Sequence, residues 1–266
     1  MSTAIFSHPR VRQDAISPAE WEARVNLAAF YRLAAIYGWD DLLATHISAR
    51  VPGPEHHFLL NPLGLLFEEI TASSLVKIDL EGNILDTDSE YGINYAGFVI
   101  HSAIHAARPD AQFIAHFHSA DGTAVSAHAE GLLPINQRAL GIIPSLAYHD
   151  YEGIAFNLDE RERLVADLGN AHFLLLRNHG TLALGDTIGA AFGRIYQLES
   201  ACTTQVRTLS IGRENILIAP KAAQAEVQRQ VGNRVRRPTD GKKGFPDLIW
   251  EAALRKVDRD LPGYEQ

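Results

Sequence analysis

Three histidines follow two apolar segments and could together bind one metal ion. His116 and His118 come at the end of Phe113-Ile114-Ala115, and His179 comes soon after Leu174-Leu175-Leu176. Because side chains alternate along a strand, His116 and His118 lie on the same face. Three imidazole ligands leave coordination positions open for water or substrate, as in catalytic metal sites. The spacing therefore predicts a catalytic site for Zn²⁺ or another divalent ion such as Fe²⁺ or Mn²⁺.

The residues around these histidines favour a metal site over chance. A chain with 12 histidines often contains a His-x-His pair, so the pair alone decides little. The flanking segments are too apolar for a solvated strand, and buried imidazoles need partners inside the fold. Gly180 directly after His179 lets the backbone turn close to a bound group.

Several further motifs resemble the class II aldolase/adducin superfamily and, within it, the adducin-type branch. The resemblance covers residues 21–207 and rests on residues 61–66, 71–79, 94–110, 116–118, 131–135 and 177–180, in that order. In that family the matching histidines bind zinc or another divalent ion, which implies His116, His118 and His179 as ligands. The resemblance also implies a C4 homotetramer with sites near the subunit boundaries.

Two departures from the family pattern concern its chemistry. In the sugar-phosphate aldolases the helix that corresponds to the one with His101 also carries an acid/base glutamate, and by spacing that position is Gly97. Glycine has no titratable group, so proton transfer needs another residue. A Gly-Asn-x-Ser turn helps those enzymes hold phosphate, and His46 stands here in place of the asparagine. The resemblance thus implies substrate contacts from His46, Asn61 and Gly64, but not standard sugar-phosphate cleavage.

Candidates for the missing acid/base group lie in two polar segments. The segment 146–153 is predicted to be a polar-aromatic loop, where Tyr148, His149 or Tyr151 could exchange protons. The alternative is a packed loop with hydrogen-bonded tyrosines. Glu90 lies seven residues before Gly97 and could reach the site, although an acidic residue in such a segment is more often solvated.

His101 and His105 are four residues apart in a helical pattern over 97–107, so they share a helix face. Such a pair can bind metal, but we favour a contact between helix and sheet because the family's ligands are already assigned. We name Tyr148, His101 and Glu90 as the candidate catalytic residues.

The elements that position these residues predict an α/β fold. Helices are expected at 17–37, 97–107, 122–130, 159–168, 187–209 and 245–257, and strands at 45–51, 56–61, 75–80, 172–177 and 181–184, with one more ending in the His116 motif. Apolar strands interleaved with helices indicate the α/β class. The resemblance implies a three-layer α/β/α arrangement with a mostly antiparallel central sheet. We expect a single domain over 1–266, with an N-terminal arm at 1–16 and a C-terminal helix and tail at 238–266.

Bulk composition excludes several classes of protein. The chain has 266 residues, of which 46% are hydrophobic and 21% charged, as in an ordinary globular protein. A net charge of −8 disfavours nucleic acid as a partner. A single cysteine, Cys202, fits a reducing compartment. Without a signal peptide pattern or a transmembrane run, we expect a cytoplasmic protein that acts on a small-molecule substrate, with no membrane partner.

Three functions remain open from the sequence. The first is a metal-dependent lyase on a small carbonyl or hydroxy-acid compound, in which the ion polarises an oxygen. The second is a non-haem iron oxygenase, because three histidines also suit Fe²⁺. The third is a non-catalytic, adducin-like binding or assembly protein, although the long lysine-rich tail of animal adducins has no counterpart here. We favour the lyase because proton-transfer candidates surround the site and no organic cofactor motif is visible.

Overall fold

A computed structural model describes residues 11–86, 91–235 and 241–266 of the chain. In this part of the chain seven strands form one open sheet in the order β3-β2-β1-β4-β7-β6-β5. The strands are β1 (His46–Arg50), β2 (Phe58–Leu60), β3 (Val76–Ile78), β4 (Phe113–Phe117), β5 (Leu146–His149), β6 (Phe173–Leu176) and β7 (Gly180–Gly185). Every neighbouring pair is antiparallel except β5 with β6. The prediction of a mostly antiparallel α/β sheet is confirmed.

Helices cover both faces of this sheet, as the three-layer prediction required. They are α1 (Pro18–Tyr37), α2 (Tyr95–Ala107), α3 (Ala120–Ser126), α4 (Gln137–Ile142), α5 (Glu160–Leu168), α6 (Ile188–Leu209), α7 (Lys221–Val235) and α8 (Phe245–Asp260). One core cluster joins α1, α6 and α8 to the first face, and a second joins α2 and α5 to the other. Among the described helices, none is long and apolar enough to cross a membrane.

The start and end of α1 follow the sequence signals. The Ser17 side chain caps the helix by accepting a hydrogen bond from the Glu20 backbone nitrogen at 3.1 Å. Gly38 ends it with φ of 67°, a left-handed conformation that glycine adopts without strain. Most of the predicted N-terminal arm, residues 1–10, lies outside the described residues.

Strand pairing at the centre of the sheet determines which side chains meet. His46 of β1 lies opposite His116 of β4, and Ser48 lies opposite Ile114. Because strand side chains alternate, these residues face α2, whereas Ala115 faces the core formed with α1 and α6. The β1–β4 pairing thus brings His46 to His116 across some 70 residues of sequence.

Three elements differ from the sequence prediction. The segment predicted as a polar-aromatic loop begins with a strand, β5, which runs parallel to β6 and pairs His149 with Leu176. With Tyr148 and His149 among its four residues, β5 lacks the apolar pattern by which strands are recognised. Its pairing partner is a distant segment of the chain. The helices α4 and α7 were also missed, because short or polar helices lack a strong apolar stripe.

Candidate metal centre

His116, His118 and His179 converge at the end of the central strands. The Nε2 atom of His116 lies 2.9 Å from Nε2 of His118 and 3.3 Å from Nε2 of His179. Their ligand atoms all lie within 4.8 Å of one another, the arrangement expected for one shared ion. The structure therefore brings together the three residues predicted as ligands, although it contains no ion and their ligand role stays a prediction.

Hydrogen bonds on the far side of two rings determine which nitrogens face the centre. Nδ1 of His116 donates to the backbone oxygen of Thr181 at 2.9 Å, and Nδ1 of His118 donates to Oδ2 of Asp41 at 3.2 Å. A neutral imidazole carries one hydrogen, so in the neutral form of both rings these partners leave both Nε2 atoms as acceptors. Two acceptors 2.9 Å apart repel each other unless a cation lies between them.

The donor set suits a divalent transition metal. Two nitrogens bound to one tetrahedral zinc at ~2.0–2.1 Å lie roughly 3.4 Å apart, close to the separations of 2.9 and 3.3 Å found here. Oxygen acceptors behind ligand histidines, such as Thr181 and Asp41, orient the rings and raise their basicity.

Burial keeps the imidazoles of His116 and His179 in the neutral form that binds metal. It lowers the pKa of His116 well below 6.5, and the charges of His179 and His118 lower it further. The pKa of His179 falls to about 4, first through burial and then through His118. Neutral imidazoles at physiological pH are ready ligands, since no proton has to leave before an ion binds.

A strained turn between β6 and β7 places His179. Asn178 has φ of 54°, a left-handed conformation that is uncommon outside glycine. The backbone nitrogen of His179 donates to Oγ of Ser126 at 3.2 Å. A Cβ on Gly180 would lie 2.3 Å from the backbone oxygen of Phe117, so only glycine lets β7 begin there.

The sequence analysis missed Glu199 of α6, which supports the centre from behind. This buried carboxylate accepts hydrogen bonds from the hydroxyls of Ser119 and Thr181. Ser119 directly follows His118, and the backbone oxygen of Thr181 accepts the hydrogen bond from His116. Burial raises its pKa to about 7. Glu199 follows Leu198 on the inward face of α6, and an acidic residue in a buried stripe is the signal that could have revealed it.

Comparison with known proteins agrees with this geometry. The family described as Class II Aldolase and Adducin N-terminal domain matches residues 25–206. The chain belongs to the class II aldolase and adducin family. A provisionally named aldolase class 2 protein of Caulobacter vibrioides is 59% identical over 249 residues, covering 94% of each chain. Alpha-adducin of Rattus norvegicus is 48% identical over 245 residues, which are 88% of this chain and 33% of the adducin.

Solved structures of the class II aldolase and adducin family share the fold. An aldolase II superfamily protein from Pseudomonas syringae has a TM-score of 0.89 and 48% identity, covering 96% of this chain and 100% of that chain. An L-fuculose 1-phosphate aldolase from Glaciozyma antarctica PI12 has a TM-score of 0.75 and 26% identity, covering 92% and 93%.

The two departures from the family's aldolase pattern meet at one contact. A Cβ on Gly97 would lie 2.3 Å from Cδ2 and 2.6 Å from Nε2 of His46. The His46 ring therefore fills the space that a side chain at position 97 would need. The same ring packs against His116 with 5.0 Å between the ring centroids. A side chain at position 97 and the His46 ring thus compete for the same space.

His101 and His105 lie behind His46 and link α2 to the sheet, as we expected. Nε2 of His101 lies 2.9 Å from Nδ1 of His46, while its Nδ1 lies 2.6 Å from Oγ of Ser48. That hydroxyl also lies 2.8 Å from Nε2 of His105. Both nitrogens of His101 are therefore engaged, and any catalytic role that it has acts through His46.

The structure places Tyr148 away from the histidine cluster. Its hydroxyl accepts a hydrogen bond from the backbone nitrogen of Leu132 at 3.1 Å, and the Arg177 guanidinium lies 4.3 Å from its ring centroid. His149 is buried against the carboxylates of α5, with Nδ1 at 2.7 Å from Asp167. Tyr151 is exposed. Tyr148 is linked towards the site through the Arg177 side chain, two residues before His179. The backbone oxygen of His149 also accepts a hydrogen bond from the backbone nitrogen of Arg177 at 2.8 Å.

The remaining predicted residues lie beside the site or beyond the described residues. Oδ1 of Asn61 accepts a hydrogen bond from the Tyr31 hydroxyl at 2.8 Å, which holds the end of β2 next to β1. Gly64 has φ of 127°, and a Cβ there would lie 2.7 Å from the Tyr91 ring. Glu90 lies outside the described residues. The substrate roles of Asn61 and Gly64 and the catalytic role of Glu90 stay predictions.

We expect one divalent ion per chain in protein purified without added metal or chelator. A His118→Ala variant should retain little of it, because one of three converging nitrogens is lost. Elemental analysis of both proteins measures this, with His56→Ala as a control at an exposed histidine in the β1–β2 turn. Full stoichiometric metal in His118→Ala would contradict the assignment.

We expect Glu199 to make stability depend on pH. Burial raises its pKa from 4.5 to about 7, so its contribution is fully present below pH 4.5 and is lost as the pH rises to about 7. The loss is on the order of 3 kcal/mol. A Glu199→Gln variant stays neutral and should gain stability relative to the native protein across this range.

Urea unfolding at several pH values measures the difference, with the exposed Glu162→Gln of α5 as the matched control. Equal pH profiles for the native protein and Glu199→Gln would show that the buried carboxylate titrates normally.

Proposed function

We propose that the chain is a divalent-metal-dependent lyase that acts on a small carbonyl or hydroxy-acid compound. The observation that carries the proposal is the pair of acceptor nitrogens on His116 and His118, 2.9 Å apart and next to His179. Membership of the class II aldolase and adducin family supports aldolase-like chemistry in general terms.

The chain's own residues would orient the ion and exclude water. Thr181 and Asp41 hold the His116 and His118 rings from behind, and the turn at Asn178 aims His179. When bound, a divalent ion would polarise a carbonyl oxygen and stabilise negative charge on it as a carbon–carbon bond breaks. His116 is fully buried, which strengthens electrostatic interactions at the centre.

Tyr148 remains our candidate for proton transfer. Its hydroxyl accepts from Leu132, and its own hydrogen is available to donate. Arg177 joins it to the turn that carries His179. A substrate that reaches from the metal centre to β5 at the edge of the sheet would bring the metal ion and the Tyr148 hydroxyl into one reaction.

The similarity to alpha-adducin favours a second candidate, a binding protein that kept the fold without the chemistry. Gly97 in place of an acid/base residue agrees with it. Retention of a stoichiometric ion separates the two, because a protein without catalysis has no need of open metal positions. Iron instead of zinc in the elemental analysis would turn the proposal towards an oxygenase.

We expect no useful cleavage of L-fuculose 1-phosphate by the zinc-loaded protein. Gly97 lacks the acid/base group, whose contribution is typically about 10²–10⁴-fold, and His46 stands where the family's phosphate turn has asparagine. Gly97→Glu alone should not recover activity, because its Cβ collides with the His46 ring. The double variant with His46→Asn makes room for the glutamate and should exceed both single variants.

A coupled assay that follows release of the ketose-phosphate fragment measures the four proteins, and Gly97→Ala controls for the Cβ without the carboxylate. If the effects of Gly97→Glu and His46→Asn on the activation free energy simply add in the double variant, the steric link between the two positions is contradicted. Robust cleavage by the native protein, abolished by His116→Ala, would show that another residue transfers the proton.

We further propose a homotetramer in which a neighbouring subunit borders the site. We do not place the interface at the apolar segment 142–146, because Ile142 is buried in this chain's own core. Exposed apolar side chains form what we call the apolar rim: Tyr95, Tyr151, Ile154, Phe156 and Leu158. Tyr95 and Phe156 are in ring contact at 6.3 Å, at the start of the helix that carries Gly97.

Light scattering at micromolar concentration should report four chains for the native protein. Phe156→Glu should weaken the assembly, because it places a charge in an apolar contact. Leu217→Glu, at a position that is 90% exposed outside the apolar rim, is the matched control. A native monomer, or equal masses for both variants, would refute the interface.

A further inference from the structure

A line of buried hydrogen bonds runs from the backbone of the loop between α2 and β4 to the metal centre. Nδ1 of His105 lies 2.8 Å from the backbone oxygen of Ala111, and its Nε2 lies 2.8 Å from Oγ of Ser48. Ser48 continues to Nδ1 of His101 at 2.6 Å, and Nε2 of His101 continues to Nδ1 of His46 at 2.9 Å. We call these four side chains the histidine relay.

The hydrogen bond from His105 to Ala111 determines which atom donates in every other bond of the relay. A carbonyl oxygen only accepts, so the hydrogen of neutral His105 is on Nδ1 and its Nε2 accepts. The Ser48 hydroxyl must then donate to His105, which leaves its oxygen to accept from Nδ1–H of His101. Nε2 of His101 is consequently an acceptor, and the partner that donates to it is Nδ1–H of His46.

Reversal of the relay would put two hydrogens or two lone pairs in one contact. The three imidazoles are almost completely buried, so water cannot relieve such a contact. Burial also favours the neutral form of each ring, since a charge there would lose its hydration. The relay therefore allows one tautomer of His46, with its hydrogen on Nδ1.

The other nitrogen of His46 is left as an acceptor beside the metal centre. Nδ1 and Nε2 lie on different sides of an imidazole, so a ring that donates to His101 turns Nε2 away from it. A Cβ at position 97 would lie 2.6 Å from Nε2, so glycine there is what makes room for the ring, and the ring packs against His116. Among the described residues, none makes a hydrogen bond to this atom.

We propose that Nε2 of His46 accepts a hydrogen bond from a substrate hydroxyl next to the metal centre, and that it disfavours a phosphate group at that position. This inference rests on the proposed function. A hydroxyl can donate to a bare nitrogen, whereas the oxygens of a phosphate dianion only accept and would face its lone pair. His101, Ser48 and His105 act as positioning residues, because they keep the hydrogen of His46 on Nδ1.

Nitrogen-15 NMR of the histidine rings tests the tautomer without any activity assay. In zinc-loaded native protein we expect the His46 hydrogen on Nδ1, with the signal assigned by its loss in His46→Phe. Ser48→Thr keeps a hydroxyl and should keep this single tautomer. Ser48→Ala interrupts the relay, so the population with hydrogen on Nε2 should appear.

The native spectrum decides the matter even if a Ser48 variant does not fold. Hydrogen on Nε2, hydrogen on both nitrogens, or coordination of Nε2 to zinc would each overturn the proposal. A single unchanged tautomer in folded Ser48→Ala would also overturn the role of the relay.

Calorimetry with glycolate and acetate tests whether His46 recognises a hydroxyl, because glycolate carries one and acetate does not. Zinc-loaded native protein should prefer glycolate, and the preference should fall about tenfold in His46→Phe, because one hydrogen bond is lost. If neither acid binds to the native protein, the proposed function fails and this inference falls with it. If both bind and the preference is the same in the two proteins, only this inference falls.

Discussion

Repulsion between two imidazole nitrogens is the constraint on which the rest of the site depends. Nδ1 of His116 and Nδ1 of His118 both donate to oxygen, so their Nε2 atoms meet at 2.9 Å as two lone pairs. When both rings are neutral, a metal ion between the two nitrogens would relieve this contact. Glu199 binds the hydroxyl of Thr181, whose backbone oxygen holds His116, and the hydroxyl of Ser119, which directly follows His118.

The sheet supplies this geometry from segments far apart in the chain. β4 lies between β1 and β7, so residues of three strands meet around one histidine pair. His46 on β1 fills the space beside Gly97 on α2, so these two positions share one space next to the converging histidines.

Much of the fold and the metal centre could be predicted from local sequence. The caps of α1 are chemical signals within a few residues, and the strand period placed His116 and His118 on one face. The resemblance to the family added His179. Each of these predictions depends on residues that are neighbours in sequence or on several motifs that occur in a fixed order.

Features that depend on tertiary partners could not be predicted in the same way. The contact between His46 and Gly97 joins a strand to a helix about 50 residues later, and no local pattern reports it. The strand that carries Tyr148 is only four residues long and pairs with the distant strand β6. Glu199 would have looked like an ordinary surface residue without its two hydroxyl partners.

Anomalous diffraction from crystals grown without added metal tests the central claim most directly. Data collected on both sides of the absorption edge of the metal found by fluorescence locate that ion alone. We expect one strong peak per chain among the Nε2 atoms of His116, His118 and His179. A peak at another site, or an ordered native site with no anomalous signal, would contradict the account.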